Sequence, residues 1–182
     1  MKNLTSILLF IVTSTINSWG QETLIFSKVI STDSVGKAKL FATINDWFAS
    51  TYNSANDVIQ MTDKEEGIIV GNGSMSYSYG KMAYLCYEGY IKYTIKVYVK
   101  DNRYKVELTN FNHSVKPGNA SSCSLGLITN SEVHTTTGMS KNYHNNTWND
   151  IKIKVEQYSS QIFESLDKKT KNIKSDKDKS DW

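Results

Sequence analysis

Three histidines, two cysteines and a run of tyrosines are the residues of this chain with chemistry to offer beyond packing. His113, His134 and His144 all fall in or beside the polar stretch 112–146. A hydrolase would need His113 or His134 brought within hydrogen-bond reach of an acidic partner, a convergence that spacing alone does not establish. The three spacings fit no zinc signature, and no second cysteine or acidic residue stands at ligand distance in the sequence, so no metal site is read here. Exposed loop positions are the expectation for all three rings. Gly71-Asn72-Gly73 has the look of a phosphate-cradling loop, yet no helix follows it and no Lys-Ser or Lys-Thr pair completes the pattern. It is read instead as a bulge or a close backbone approach inside a strand. The chain is therefore expected to be non-catalytic and to carry no cofactor.

The tyrosines point to binding. Tyr77, Tyr79, Tyr84, Tyr87 and Tyr90 crowd into one stretch punctuated by Gly80 and Gly89. A phenol ring offers an apolar body with a polar tip and so suits a half-wet surface. Tyr84, Tyr87 and Tyr90 are the expected contacts for a small molecule, a glycan or a partner protein. The plainer expectation is that these rings cover the end of a sheet and satisfy their hydroxyls locally. Cys86 and Cys123 are the only cysteines, and in an oxidising compartment such a pair reads as a disulfide rather than two unrelated buried thiols. Closing a loop of that length would contribute about 4 kcal/mol by the chain-entropy estimate.

The element that must position these residues is a hairpin. From 90 to 100 the chain alternates, with Ile91, Tyr93, Ile95, Val97 and Val99 on one side and Lys92, Thr94, Lys96 and Lys100 on the other. Asp101-Asn102 tolerates the positive φ of a two-residue turn. With Lys100 opposite Arg103, Val97 faces Val106 and Ile95 faces Leu108, while Lys96 faces Glu107 and Thr94 faces Thr109. A slip of one residue would invert both faces, so the register is specified. Continued downward, it brings Cys86 to the level of Pro117, at the same end of the sheet as Cys123.

Around this hairpin the remaining elements follow. A strand is predicted over 23–31, without a clean inner face because Leu24, Ile25 and Phe26 run together. A helix capped by Asp33 or Ser34 presents Leu40, Phe41, Ile44, Trp47, Phe48 and Tyr52 as one apolar stripe. Strands over 57–63 and 68–79 flank the turn Lys64-Glu65-Glu66-Gly67. After the central hairpin the polar stretch 112–146 reads as a long connection, pinned by Cys123 if the bridge forms. Thr147, with Asp150 three residues on, resembles a capping box, and Trp148, Ile151, Val155, Tyr158, Ile162 and Leu166 carry a helical stripe to about 166.

Composition bounds the rest. Lys2, the apolar run 7–12 and Ser18-Trp19-Gly20 read as a cleaved signal peptide over 1–20, with no cysteine after the cleavage point to accept a lipid. An exported, periodic-strand domain over 21–167 follows, and then a charged tail, 168–182, expected to fray and be disordered. The net charge of +3 falls to +2 without Lys2, which is not the footprint of a nucleic-acid binder. No run in the mature chain reaches transmembrane length. The predicted class is α+β: two layers, an antiparallel sheet of about five strands in the order β-α-β-β-β-β-α, and two helices on one face.

These residues resemble a family. Ser54-Ala55-Asn56-Asp57-Val58-Ile59-Gln60, the Asp63-Lys64-Glu65 turn with Gly67-Ile68-Ile69, Tyr77-Ser78-Tyr79, Gly89-Tyr90-Ile91 with Tyr93-Thr94, Leu127-Ile128-Thr129 and Trp148-Asn149-Asp150-Ile151 are similar to exported Bacteroidetes domains of unknown function with a TBP-like fold. The resemblance spans essentially the whole mature chain and implies fold and export. It implies no chemistry, because the family has no assigned activity or site, and the fold label alone does not imply DNA binding. The function expected is an exported, non-catalytic binding domain of the cell envelope, periplasmic or secreted and not a lipoprotein, with an envelope assembly role or a histidine hydrolase as alternatives.

Overall fold

The computed structural model describes residues 22–52, 58–136, 138 and 140–173. The signal peptide read over 1–20 and the end of the charged tail lie outside them. Strand β1 (Phe26–Ser31) leads to helix α1 (Lys37–Thr51). Strands β2 (Ile59–Asp63), β3 (Ile68–Tyr77), β4 (Gly89–Lys100) and β5 (Arg103–Val115) come next, then a two-residue β6 (Gly126–Leu127) and helix α2 (Lys141–Lys171). All pairings are antiparallel in the order β1-β5-β4-β3-β2, with β6 on the far end of β5. Both helices pack on one face, as expected of the two-layer class.

The central hairpin adopts the expected register. Lys100 pairs with Arg103, Val97 with Val106, Lys96 with Glu107, Ile95 with Leu108 and Thr94 with Thr109. Beyond Thr94 the register shifts, because Asn110, at φ 57°, adds a residue to β5. Before this bulge the helix-facing residues of β5 are Tyr104, Val106 and Leu108; after it they are Phe111 and His113, all buried. A bulge of one residue reverses the alternation, and here that keeps the apolar side inward. It also carries His113 into the core.

Gly71 and Gly73 do not form a bulge with β4, since Gly71 pairs with Ile95 and Gly73 with Tyr93 in unbroken register. The irregularity on this side lies in β2, between Ile59 and Met61. The two glycines serve close approach instead: a methyl at 71 would meet the Phe48 ring at 3.0 Å, and one at 73 would meet the Tyr93 ring at 2.2 Å. With that space open, the Tyr93 hydroxyl lies 3.0 Å from that of Tyr52 and 3.1 Å from that of Tyr158, so α1, α2 and the sheet meet on three phenols. Burial pushes Tyr52 up to about 12 and Tyr93 higher still.

Both helices depart from their expected ends. Ser34 has φ 58° and α1 begins after Gly36, without a side-chain cap from its own N-cap residue. Helix α2 starts at Lys141, six residues before the expected cap, and Thr147 is a fully buried interior position. It also runs to Lys171 rather than fraying from Lys168. There Lys169 pairs with Asp46 of α1, Lys171 pairs with Asp167, and the buried Thr170 hydroxyl meets that of Tyr104 at 3.2 Å. Lysines in a last helical turn also suit the negative end of the helix dipole.

Candidate functional site

At one end of the sheet a 3₁₀ helix, Met82–Tyr87, sits between β3 and β4. Cys86 and Cys123 are joined by a disulfide, with their Cα atoms 5.9 Å apart. The Asn119 side chain adds donor contacts to the carbonyls of Leu85 and Cys86. The turn is thus tied covalently and by hydrogen bonds to the connection that follows β5.

Tyr87 is the hub of this end, and it is buried. Its carbonyl accepts Nε2–H of His113 at 2.9 Å, while the Leu125 N–H donates to His113 Nδ1 at 3.2 Å. These partners define one neutral tautomer, and burial holds this imidazole below its ordinary value. The Tyr87 hydroxyl lies 3.0 Å from Nδ1 of His144, whose Nε2 faces the Ser122 carbonyl at 3.1 Å. His134 stacks beside His144 and Trp148 and accepts the Thr136 N–H. Burial, then the neighbouring His144, lowers it too. The expectation of exposed loop histidines is corrected: His113 lies on β5 and His144 on α2, respectively 1% and 6% exposed, and His134 is half-buried. The bulge in β5 and the early start of α2 are the reasons, and neither has a short-range sequence signal.

The three tyrosines expected as contacts are not brought together on one surface. Tyr84 is half-buried between Tyr79, stacked at 3.8 Å, and Tyr143, at 5.2 Å, and its hydroxyl accepts from Asn146. Tyr87 lies 6.2 Å from it, ring to ring, facing the core. Tyr90 is exposed on the opposite side of the sheet, because its neighbours Gly89 and Ile91 point toward the helices. The free side of Tyr79 is covered by the ammonium groups of Lys81 and Lys154. Lys154 also donates to Asp150, which accepts from the Tyr77 hydroxyl at 2.8 Å.

The open face of the sheet has a different character. Lys92, Lys96, Lys100, Arg103 and Lys105 project from it beside Glu107, and among the described residues only Lys105 forms an ion pair there, with that carboxylate. Five cations stand against two carboxylates, Glu107 and Asp63, the latter on this face because it pairs with Ile68 and Ile68 with Tyr98, so the face carries a net positive charge. A cleft of about 490 Å³ crosses the end nearest the hairpin turn, lined by Val29, Tyr98, Lys100, Arg103, Lys105 and Glu107. Farther along, Asn110 donates to the Thr94 hydroxyl, which donates to Asn72. Sequence alternation identifies Lys92, Thr94, Lys96, Tyr98, Lys105 and Glu107 as face residues, but not Val29. That residue reaches the cleft because β1 pairs with β5, which places it opposite Lys105. Its own strand shows no clean alternation.

Among the described residues, an antiparallel sheet with two helices on one side and no element on the other makes an α+β architecture of TBP-like shape. Residues 26–114, from the start of β1 nearly to the end of β5, match the model of a family described as a domain of unknown function (DUF4468) with TBP-like fold. Over this stretch the chain is similar to DUF4468 domains. Among solved structures, a DUF4468 family protein from Bacteroides ovatus is 16% identical, with a TM-score of 0.58 over 81% of this chain and 86% of that one. A TBP-like protein from Parabacteroides distasonis is 19% identical, with a TM-score of 0.50 over 79% of this chain and 92% of that one. At such identities the likeness establishes the fold. No curated protein matches the chain.

Proposed function

We propose that this chain is an exported, non-catalytic binding module of the cell envelope, and that it binds through the open face of its sheet. The observation that carries the reading is the asymmetry of the sheet. One face is filled by the apolar stripes of α1 and α2, while the other bears a cleft lined by Tyr98 and Val29 together with Lys100, Arg103 and Lys105. A concave site that combines apolar side chains with a few convergent polar groups is the usual form of a ligand site. Export is supported by the disulfide, which suits an oxidising compartment, and by the N-terminal leader pattern. Among the described residues no helix is long and apolar enough to cross a membrane.

Native mass spectrometry of protein purified gently from its own host tests this. The wild type is expected to carry a reproducible extra mass, or to co-purify with a partner, that is lost in Tyr98→Ala/Arg103→Ser and kept in Tyr84→Ala. The reverse pattern would move the site to the tyrosine-rich end. An envelope assembly role would draw on another surface, the 3₁₀ helix, where Met82 is 86% and Leu85 51% exposed.

A further inference from the structure

We infer that the occupant of the open face is an acidic glycan, a chain of linked sugars bearing uronate carboxylates; this rests on the open-face reading above. Lys100 and Arg103 stand directly opposite each other across the hairpin. Like charges so placed repel. Asp101, the nearest acid in sequence, forms no ion pair with either among the described residues, and its Oδ1 accepts the Lys37 backbone N–H at 2.7 Å. Among the described residues no ion pair engages Lys92, Lys96, Lys100 or Arg103. A bound carboxylate between Lys100 and Arg103 would turn that repulsion into two charge-assisted hydrogen bonds, and the planar guanidinium is the better of the two donors.

The rest of the face argues for sugar between the acids. Tyr98 sits one step along β4, opposite Lys105, and presents a half-buried ring to the cleft. An aromatic ring of this kind offers an apolar body to the C–H side of a sugar and a hydroxyl at its rim. Next come Thr94, Thr109, Asn72 and Asn110, neutral donors and acceptors matched to sugar hydroxyls. Beyond Lys96, which stands on the same face opposite Glu107, Lys92 places a further cation six residues from Tyr98, about 20 Å along the strand, a span that several linked rings fill and one small anion does not. An acidic peptide would seek the unpaired backbone of a sheet edge, and this face offers none. An anionic membrane would prefer a continuous apolar surface, whereas Val29 and Tyr98 are separated by Lys105.

Titration calorimetry on the mature, disulfide-bonded protein decides it. The probes are oligogalacturonate, the same oligomer with its carboxylates reduced to alcohols, polyglutamate, oligothymidylate and phosphatidylglycerol vesicles. Oligogalacturonate is expected to bind, the reduced oligomer to bind at least about tenfold more weakly, and Arg103→Ser and Tyr98→Ala each to cost about tenfold in Kd. Lys100→Ser, which removes the repulsion, is expected to weaken binding without lowering Tm. Equal binding of the reduced oligomer overturns the proposal. Tighter binding of polyglutamate, oligothymidylate or vesicles, lost in Arg103→Ser, overturns the glycan while leaving the open face as the site. Silence from every probe also overturns the glycan, and the host-purified mass then decides the open-face reading separately.

Discussion

Asp101 and Lys37 join the two layers of this protein at one point: the carboxylate in the turn of the central hairpin accepts the first backbone N–H of α1 at 2.7 Å. The first N–H groups of any helix lack intrahelical partners, and Gly36 brings no side chain to serve them. The hairpin therefore caps a helix sixty-four residues away in sequence. A carboxylate at this end also meets the positive pole of the helix dipole. Asp101→Ala is expected to cost about 1 kcal/mol, a fall in Tm of about 2–4 °C, with Asp101→Asn retaining most of the stability. Thermal melts of both variants check this, and an unchanged Tm for the alanine variant would refute the cap.

The disulfide makes a larger contribution. Cys86 and Cys123 are separated by 37 residues, and opening the bridge releases a loop that the chain-entropy estimate values at about 4 kcal/mol. Urea unfolding with and without reductant, or of Cys86→Ser/Cys123→Ser, is expected to show a lower midpoint for the open form. The Met82–Tyr87 turn and the loop around Cys123 are expected to lose amide protection first, because the bridge joins them. Equal midpoints would mean that the bridge adds nothing to stability.

Much of this structure is legible in the sequence wherever two local signals agree. The hairpin could be paired residue by residue from Thr94 to Thr109, because a period-two alternation and a two-residue turn both point to one register. The Cys86–Cys123 bridge is legible from two cysteines at one end of the sheet together with export, although the bulge displaces the pairing there by one residue. What local pattern missed depends on tertiary contact. The bulge at Asn110 is marked by no glycine, so His113 reads as a loop residue although it lies in the core. The first six residues of α2 are polar, and they are helical because His144 docks on Tyr87 and Ser122. Val29 belongs to the candidate site only because β1 pairs with β5 across more than seventy residues of chain. Tyr84 and Tyr87 read as surface aromatics, but a stacked neighbour encloses the first and the histidines bury the second.

Gly73 and Tyr93 pair across β3 and β4, and the ring occupies the volume a side chain at 73 would need. Gly73→Ala is expected to destabilise by about 1–3 kcal/mol, the usual cost of forcing atoms into a packed interior. Tyr93→Ala alone leaves a cavity and strands the hydroxyls of Tyr52 and Tyr158. In the double variant the alanine at 73 no longer clashes, so the two costs should fail to add by about 1 kcal/mol or more. A double-mutant cycle by urea unfolding measures this coupling. Strict additivity would mean that the ring and the glycine are not mutually required.

His113 makes stability depend on pH through a stated mechanism. Buried between the Tyr87 carbonyl and the Leu125 N–H, it is held neutral in the fold and its value is lowered, first by burial, from the ordinary 6.5. The unfolded chain therefore binds a proton at a higher pH than the folded one. Stability is fully present above the unfolded value and falls as pH drops through it toward the folded value. His134, lowered by burial and by His144, acts with the same sign in the same window. Glu88, held below the usual carboxylate range by Lys116 and Ser78, loses its contribution only in more acidic solution. Urea unfolding between pH 7.5 and pH 5 is thus expected to show a falling midpoint, with a shallower fall in His113→Asn, whose amide can keep one of the two hydrogen bonds without titrating. A midpoint that stays flat across this range would mean that His113 protonates as readily inside the fold as outside it.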